Sequence, residues 1–413
     1  VAVPQPRTSR LEQLLLMAAI ILLPLQDHLP SVYGFSAMYI IFGVLAGYAL
    51  LTKPIMLARM AVHPVVVTAS ILIILCSLIE FGHSDASYVE LRTYALSIGG
   101  AVAVATLCRD RRALQASAYG YLIMSIWLSA FLMLTFYSTL HGAMGSDLRE
   151  VSKIRDEVFE DNPLNANLNK LAFQVAQGAV VALAFGLSAT TPRQRALLLA
   201  IGLFCMVGVF LPMSRGGILI AFISGAVVLL AFRGQRMRAL LVVAALGIGV
   251  AMWAPSIAFT RLKSSVSASY YEEGEDSRAR IWLAAIDHLP EYVVTGVGAG
   301  NYWDWWGITH GFDHRGITVL GAHNSFFQVT IFWGFVGLFA FLAVLWRCYR
   351  CIPKRSGADA LSLCLLGIAV SLVLRLFVSH NFADKDFTLG IGLLVGARSW
   401  IWPAGIVQPI SRG

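Results

Sequence analysis

The chain has 413 residues, 58% of them hydrophobic and only 13% charged, with a formal net charge of +8 and a mean hydropathy of +0.72. Soluble domains carry about 25% charged residues, so this balance excludes an ordinary soluble enzyme and points to an integral membrane protein. Apolar runs recur at about the 20 residues a helix needs to cross a bilayer, whereas an outer-membrane barrel would show shorter, alternating segments.

In chain order the sequence predicts twelve transmembrane helices, near 11–26, 33–51, 64–80, 93–107, 117–137, 171–190, 196–212, 216–232, 239–258, 325–346, 359–380 and 387–403. The expected fold class is an all-α integral membrane protein, a single polytopic domain over 1–413. The first run lacks a small-residue cleavage site and further spans follow quickly, so it reads as a span and not as a signal peptide. With Arg7 and Arg10 placed in the cytoplasm, the loops on that side hold Lys53, Arg59, Arg109, Arg111, Arg112, Arg193 and Arg195. They also hold Arg233, Arg236, Arg238, Arg347, Arg350, Lys354 and Arg355, and Arg398 and Arg412 put the C-terminus there too. Short loops on the other side carry only Arg92, Arg215 and Lys385. Lysine and arginine collect on the cytoplasmic side of membrane proteins. The basic balance therefore reports orientation in a membrane, not a nucleic-acid partner.

Six cysteines are present, none in a large outer loop, so no structural disulfide is expected. Cys348-x-x-Cys351 lacks the second ligand pair that a zinc site needs.

Two outer segments exceed ordinary connector length, 138–170 and 259–324. Long loops are usually functional or disordered, and the second is too aromatic for disorder. Within it, 277–289 predicts an amphipathic helix whose apolar face is Ile281, Trp282, Ala285, Ile286 and Leu289, ended by Pro290. The glycines of "TGVGAGNY" form a turn and not a nucleotide cradle, since no helix follows and the membrane side is wrong. The aromatics of 301–312, Trp303 among them, suit stacking on a sugar ring, but they suit a membrane interface better.

Cations on the outer side stand out. Arg215, in "PMSRGG", sits in a loop of almost no length; a snorkelling arginine is the plain reading, against the cation-poor character of that side. Arg278 and Arg280 lie on the amphipathic helix. Arg375 lies inside the eleventh span, where a charge defaults to a functional hypothesis; pairing with Asp384 or Asp386 is the equal alternative. Guanidinium groups grip phosphate through two parallel donors and stay charged, so a cluster at this depth suits a lipid-linked pyrophosphate and could stabilise charge on it as it departs. At the border where the chain re-enters the membrane, "GAHNSFFQ" places His323 and Asn324. A neutral imidazole can take the proton of an attacking hydroxyl, with Asn324 orienting it or capping the helix. Taken alone, a histidine at a helix border is more often structural, and His380-Asn381 repeats the pair at another outer border.

These residues together resemble the O-antigen ligase and polymerase superfamily. "SRGG" after an apolar span is similar to its first arginine motif, and "SRARIW" to its second, with Arg278 four residues before Trp282. "GVGAGNY" resembles the glycine-rich segment, and "HNSFFQVTIFWGFVG" the His-Asn motif with Gly334 and Gly337 downstream. The resemblance covers roughly 200–340. It implies a GT-C-like fold in the bacterial inner membrane with the site facing the periplasm. It also implies a glycosyltransferase that uses undecaprenyl-pyrophosphate-linked glycan as donor and, in the ligase, a sugar hydroxyl of lipid A-core as acceptor. Transfer would proceed with inversion and without cofactor or required metal. Arg215 and Arg278 carry over as pyrophosphate ligands and His323 as catalytic base; Arg280 does not match the motif and is assigned to substrate only as an assistant. Related alternatives are the O-antigen polymerase, which should want two cation clusters, and a protein O-glycosyltransferase. From another class, a lipid or solute transporter should show repeat symmetry and polar mid-membrane residues, which the apolar span centres lack.

Overall fold

The computed structural model describes residues 8–29, 36–80, 85–142, 163–164, 167–232, 278–302, 305, 321–352, 359–379, 382 and 384–401. Every regular element among them is a helix. The helices are α1 (Arg10–Ile21), α2 (Ala37–Thr52), α3 (Pro54–Ala61), α4 (Pro64–Ile79), α5 (Asp85–Leu107), α6 (Arg111–Gly142) and α7 (Leu168–Ser188). They continue with α8 (Pro192–Phe210), α9 (Arg215–Ala231), α10 (Arg278–Asp287), α11 (Leu289–Tyr292), α12 (Ser325–Tyr349), α13 (Ala360–Leu376) and α14 (Lys385–Ile401).

Helices lie in eleven of the twelve expected spans; the remaining one, near 239–258, falls outside the described residues. Four of them, α6, α7, α8 and α12, are long and apolar enough to cross a membrane, and α2 with α3 makes a fifth if their 120° bend lies within one span. Helices α4, α9 and α13 are apolar but shorter. Helix α6 continues to Gly142, into the stretch where a loop is expected from 138.

Local chemistry accounts for the helix starts. Ser9 and Glu12 form a reciprocal capping box on α1, Thr191 caps α8 ahead of Pro192, and Asp359 caps α13 through Ser362. Helix α7 is the centre of the bundle and packs against α6, α8, α9 and α13. Small residues bring its neighbours close, as small-residue faces do between membrane helices: Gly178 of α7 lies on Ser125 of α6, and Gly202 of α8 lies near Ala182. A second layer pairs α5 with α2 and α14, and α4 with α12.

The two ends of the bundle differ. At one, Arg398 donates to the Arg350 carbonyl (2.6 Å) and Arg111 pairs with Asp359 (3.0 Å). At the other, the starts of α9 and α12 meet the turn that follows α13. All six cysteines are free thiols.

Candidate functional site

The site is built from helix beginnings. Ahead of α9 the chain turns through Leu211–Met213, with Met213 at φ +50° and its N–H on the Phe210 carbonyl (2.9 Å). Ser214 then caps the helix by accepting from Gly217 N–H (3.2 Å). Arg215 is the first helical residue and is half-buried. The two glycines after it permit close approach. A Cβ on Gly217 would come 2.5 Å from that of Ala172 on α7, and one on Gly216 would come 3.2 Å from Val378.

Helix α12 begins against the same turn, where Ser325 Oγ donates to the Ser379 carbonyl (2.7 Å). Asn324 is its N-cap, with Oδ1 accepting from Phe326 (2.9 Å) and Phe327 (3.2 Å). Of the two roles expected for Asn324, capping is the one its carboxamide oxygen fills. His323 precedes the cap, half-buried, at φ +48°. Histidine is among the few residue types enriched in this left-handed region, and Ala322 is clamped on both faces to hold it there. Ala322 N–H donates to Gln328 Oε1 (3.3 Å), and its carbonyl accepts from Trp282 Nε1 (2.9 Å). The Trp282 ring also stacks on Phe327, with centroids 6.2 Å apart.

Trp282 thus explains the spacing of the second arginine motif. Helix α10 opens at Arg278 and, one turn on, ties itself to the residue before His323. The chains around Arg215, Arg278 and His323 are joined into one neighbourhood through Val378–Ser379 and Ala322. The side chains of Arg278 and Arg280, and the whole of Trp303 and His380, lie outside the described residues. Trp282→Phe keeps the stacking and deletes one donor, and a net hydrogen bond is worth about 1 kcal/mol. Transfer by the purified variant should fall by roughly three- to tenfold with the protein still folded. Unaltered transfer would remove Trp282 from any part in holding His323.

Two expectations about this region need correction. Pro290 does not end the helical course: the chain turns at His288, and Pro290 lies in the first turn of α11, where its missing N–H costs nothing. The apolar face of α10 also departs from expectation at one position, with the Ile281 side chain outside the described residues. Ala285 is fully buried and Trp282 and Leu289 pack beside it, but Ile286 is 51% exposed.

Gly334, the first glycine downstream of the His-Asn motif, marks a break in its helix. Inside α12 the backbone leaves helical geometry at Trp333 (φ −135°) and Gly334 (φ 59°), and a side chain on Gly334 would collide with the Val294 carbonyl. The glycine-rich segment fills this break as a third strand of backbone would. Val297 N–H donates to the Ile331 carbonyl (2.8 Å), Gly298 N–H to Phe332 (3.0 Å), and Phe335 N–H to Val293 (2.7 Å). Buried backbone groups must be paired, and broken helices survive in membrane proteins where protein re-satisfies them. At the end of α4 stands Glu80, fully buried. Its Oε1 accepts from Trp333 Nε1 (2.9 Å) and from Ala299 N–H, and its Oε2 is buried with no hydrogen-bond partner among the described residues. Sequence reasoning missed Glu80; the available signal was a lone carboxylate closing an apolar span.

Arg375, one candidate for substrate, proves to be the ion-pair alternative. It is 3% exposed; Nη2 pairs with Asp384 (2.5 Å) and Nη1 with Asp386. Phe173 lies against its guanidinium at 5.1 Å, Lys170 reaches Asp384 (3.7 Å), and Gln174 donates to Asp386 (3.3 Å). The cluster knits α7, α13 and α14 together beneath the Arg215 turn.

Residues 196–342, from α8 through most of α12, match the family model described as O-antigen ligase. That match, over about a third of the chain, supports membership of the O-antigen ligase superfamily. No curated protein matches the chain. The family match and the apolar helices together suggest a membrane protein with an O-antigen ligase- or polymerase-type glycosyltransferase role in lipopolysaccharide biosynthesis. The matched segment contains Arg215, Arg278, Trp282 and His323, whereas Glu80 and the Arg375 cluster lie outside it.

Proposed function

We propose that the protein is the ligase of that superfamily: it moves O-antigen glycan from undecaprenyl pyrophosphate to a sugar hydroxyl of lipid A-core at the periplasmic face of the bacterial inner membrane. Twelve spans with both termini in the cytoplasm complete this reading. One observation carries it above the others: the helix starting at Arg215 and the chain bearing His323 are built on a single turn, and the helix starting at Arg278 is hydrogen-bonded to that chain.

His323 takes the proton of the acceptor hydroxyl as its oxygen attacks the anomeric carbon of the donor. The bond from that carbon to the pyrophosphate oxygen breaks, and the configuration inverts. Undecaprenyl pyrophosphate departs with its negative charge held by Arg215 and Arg278, in the manner of preorganised charge stabilisation. Metal-independent transfer follows from that arrangement. Arg280 assists the donor, and Trp303 offers a ring face to sugar. The polymerase reading wants a second cation cluster for a second lipid pyrophosphate. Arg375 and Lys170 do not supply one, because Asp384 and Asp386 engage them; Arg149, Lys153 and Arg155, the other cations of the first outer segment, lie outside the described residues.

Deleting the gene and running lipopolysaccharide on a gel tests the reading. Core alone, with lipid-linked glycan accumulating, is the expected pattern; core bearing a single repeat unit identifies a polymerase instead. Complementing that strain with Arg215→Ala or Arg215→Lys should restore almost nothing in either case, since lysine keeps the charge and loses the planar fork. Normal ladders from the Lys variant would reduce the role of Arg215 to charge alone.

A further inference from the structure

We propose that Glu80 is a positioning residue of the transfer reaction, a latch that sets the donor-binding segment against the helix carrying the base. The inference rests on the function proposed above, and neither the family match nor the sequence motifs reach Glu80.

The geometry is specific. Three backbone hydrogen bonds seat the segment 293–298 in the break of α12: Val297 to Ile331, Gly298 to Phe332 and Phe335 to Val293. All three depend on α12 staying open at Trp333–Gly334. The Glu80 side chain holds both partners at once, through Trp333 Nε1 on the broken helix and Ala299 N–H on the inserted segment. Its anchor is independent of both, the end of α4, 219 residues before Ala299 in sequence. The break has two sides. Toward the start of α12 lie eight residues, Ser325–Phe332, that lead back to His323. Toward the start of the inserted segment lie α11 and α10, which lead back to Arg278. Tyr292 reinforces that arm by donating to the Ala285 carbonyl (2.5 Å), and Trp282 closes the circuit at Ala322. Two routes therefore join Arg278 to His323. Trp282 makes the short one, and Glu80 locks the long one.

Glu80 touches no reacting atom in this scheme; it acts through the two arms. Loss of the latch lets the donor charge and the base drift relative to one another, and misplacement by about 1 Å costs on the order of 10²-fold in rate. A carboxamide at this position retains an oxygen for both donors, so the role needs an acceptor and not a charge.

The test uses the full chain in detergent with lipid-linked glycan and lipid A-core. Glu80→Ala should lower kcat by about 10- to 100-fold with KM for either substrate little changed. Glu80→Gln should stay within about threefold of the parent protein. Amide exchange over 293–302 should speed by roughly tenfold in Glu80→Ala and remain slow in Glu80→Gln. Should Glu80→Ala not fold, Trp333→Phe removes one of the two donors and should show the same changes at reduced size. Exchange needs no substrate, so a failed latch is told apart from a failed reaction. Unchanged exchange in Glu80→Ala, or in Trp333→Phe in its place, overturns the latch. Faster exchange with undiminished kcat overturns its positioning role, and a Gln variant as slow in transfer as the Ala variant overturns the acceptor argument.

Discussion

His323→Ala should insert and fold like the parent protein and lose glycan transfer by about 10²–10⁴-fold, the usual cost of removing a general base. The left-handed backbone at this position, φ +48°, makes the choice of control important. Asparagine visits that region readily and carries no comparable base, so His323→Asn separates backbone strain from lost proton transfer. Both variants should fail alike while binding of the lipid-linked donor persists, because the arginines are untouched. The fold should be indifferent, since Asn324 caps α12 through its own Oδ1 and Ala322 keeps both of its hydrogen bonds. If His323→Asn transfers normally, the attacking hydroxyl needs no histidine, and the reaction rests on leaving-group stabilisation and substrate placement.

Arg375→Ala should instead unfold the protein more easily, by about 3–5 kcal/mol, the cost of stranding a buried charge by removing its partner. Two carboxylates lose a paired guanidinium at once, Asp384 and Asp386, which are 8% and 0% exposed. Lys170, at 3.7 Å from Asp384, remains to offset part of this for Asp384. The lowered midpoint of thermal unfolding in detergent is the readout. Neutralising the whole set with Arg375→Met, Asp384→Asn and Asp386→Asn should recover most of the loss, because a buried ion pair gains little over a well-packed neutral group. Arg215→Ala makes the contrasting case: folding should be kept and transfer lost. A fully stable Arg375→Ala protein with abolished transfer would return Arg375 to the substrate.

Much of the architecture was legible because its causes are local. A membrane span is a run of apolar residues, and Leu168–Ser188 and Ser325–Tyr349 announce themselves by composition alone. The cap at Asn324 is likewise local, a carboxamide just ahead of an apolar run. The spacing of Arg278 and Trp282 places both on one helix face, and the segment matching the O-antigen ligase family coincides with the stretch from which the motifs were read. Motif order therefore pointed to the superfamily and nominated Arg215, Arg278 and His323.

What stayed hidden depends on partners distant in sequence. Gly334 reads only as a glycine downstream of the His-Asn motif, whereas it marks a break whose freed carbonyls are claimed by a segment some thirty-five residues upstream. Arg375 could serve a ligand or a carboxylate, and only the fold brings Asp384 and Asp386 to it. Ile286 lies next to the packed stripe of α10, but the helix turns it half outward. Glu80 reads as an acid at the end of a span, and its meaning is set by Trp333, 253 residues away. The amino-acid sequence by itself determined where the chain is apolar, where helices begin and which motif residues carry charge, since hydrophobicity and capping act over a few residues. Only the tertiary structure decided which buried polar group satisfies which other, because a hydrogen bond or ion pair in a low-dielectric interior answers to distance in space and not to distance along the chain.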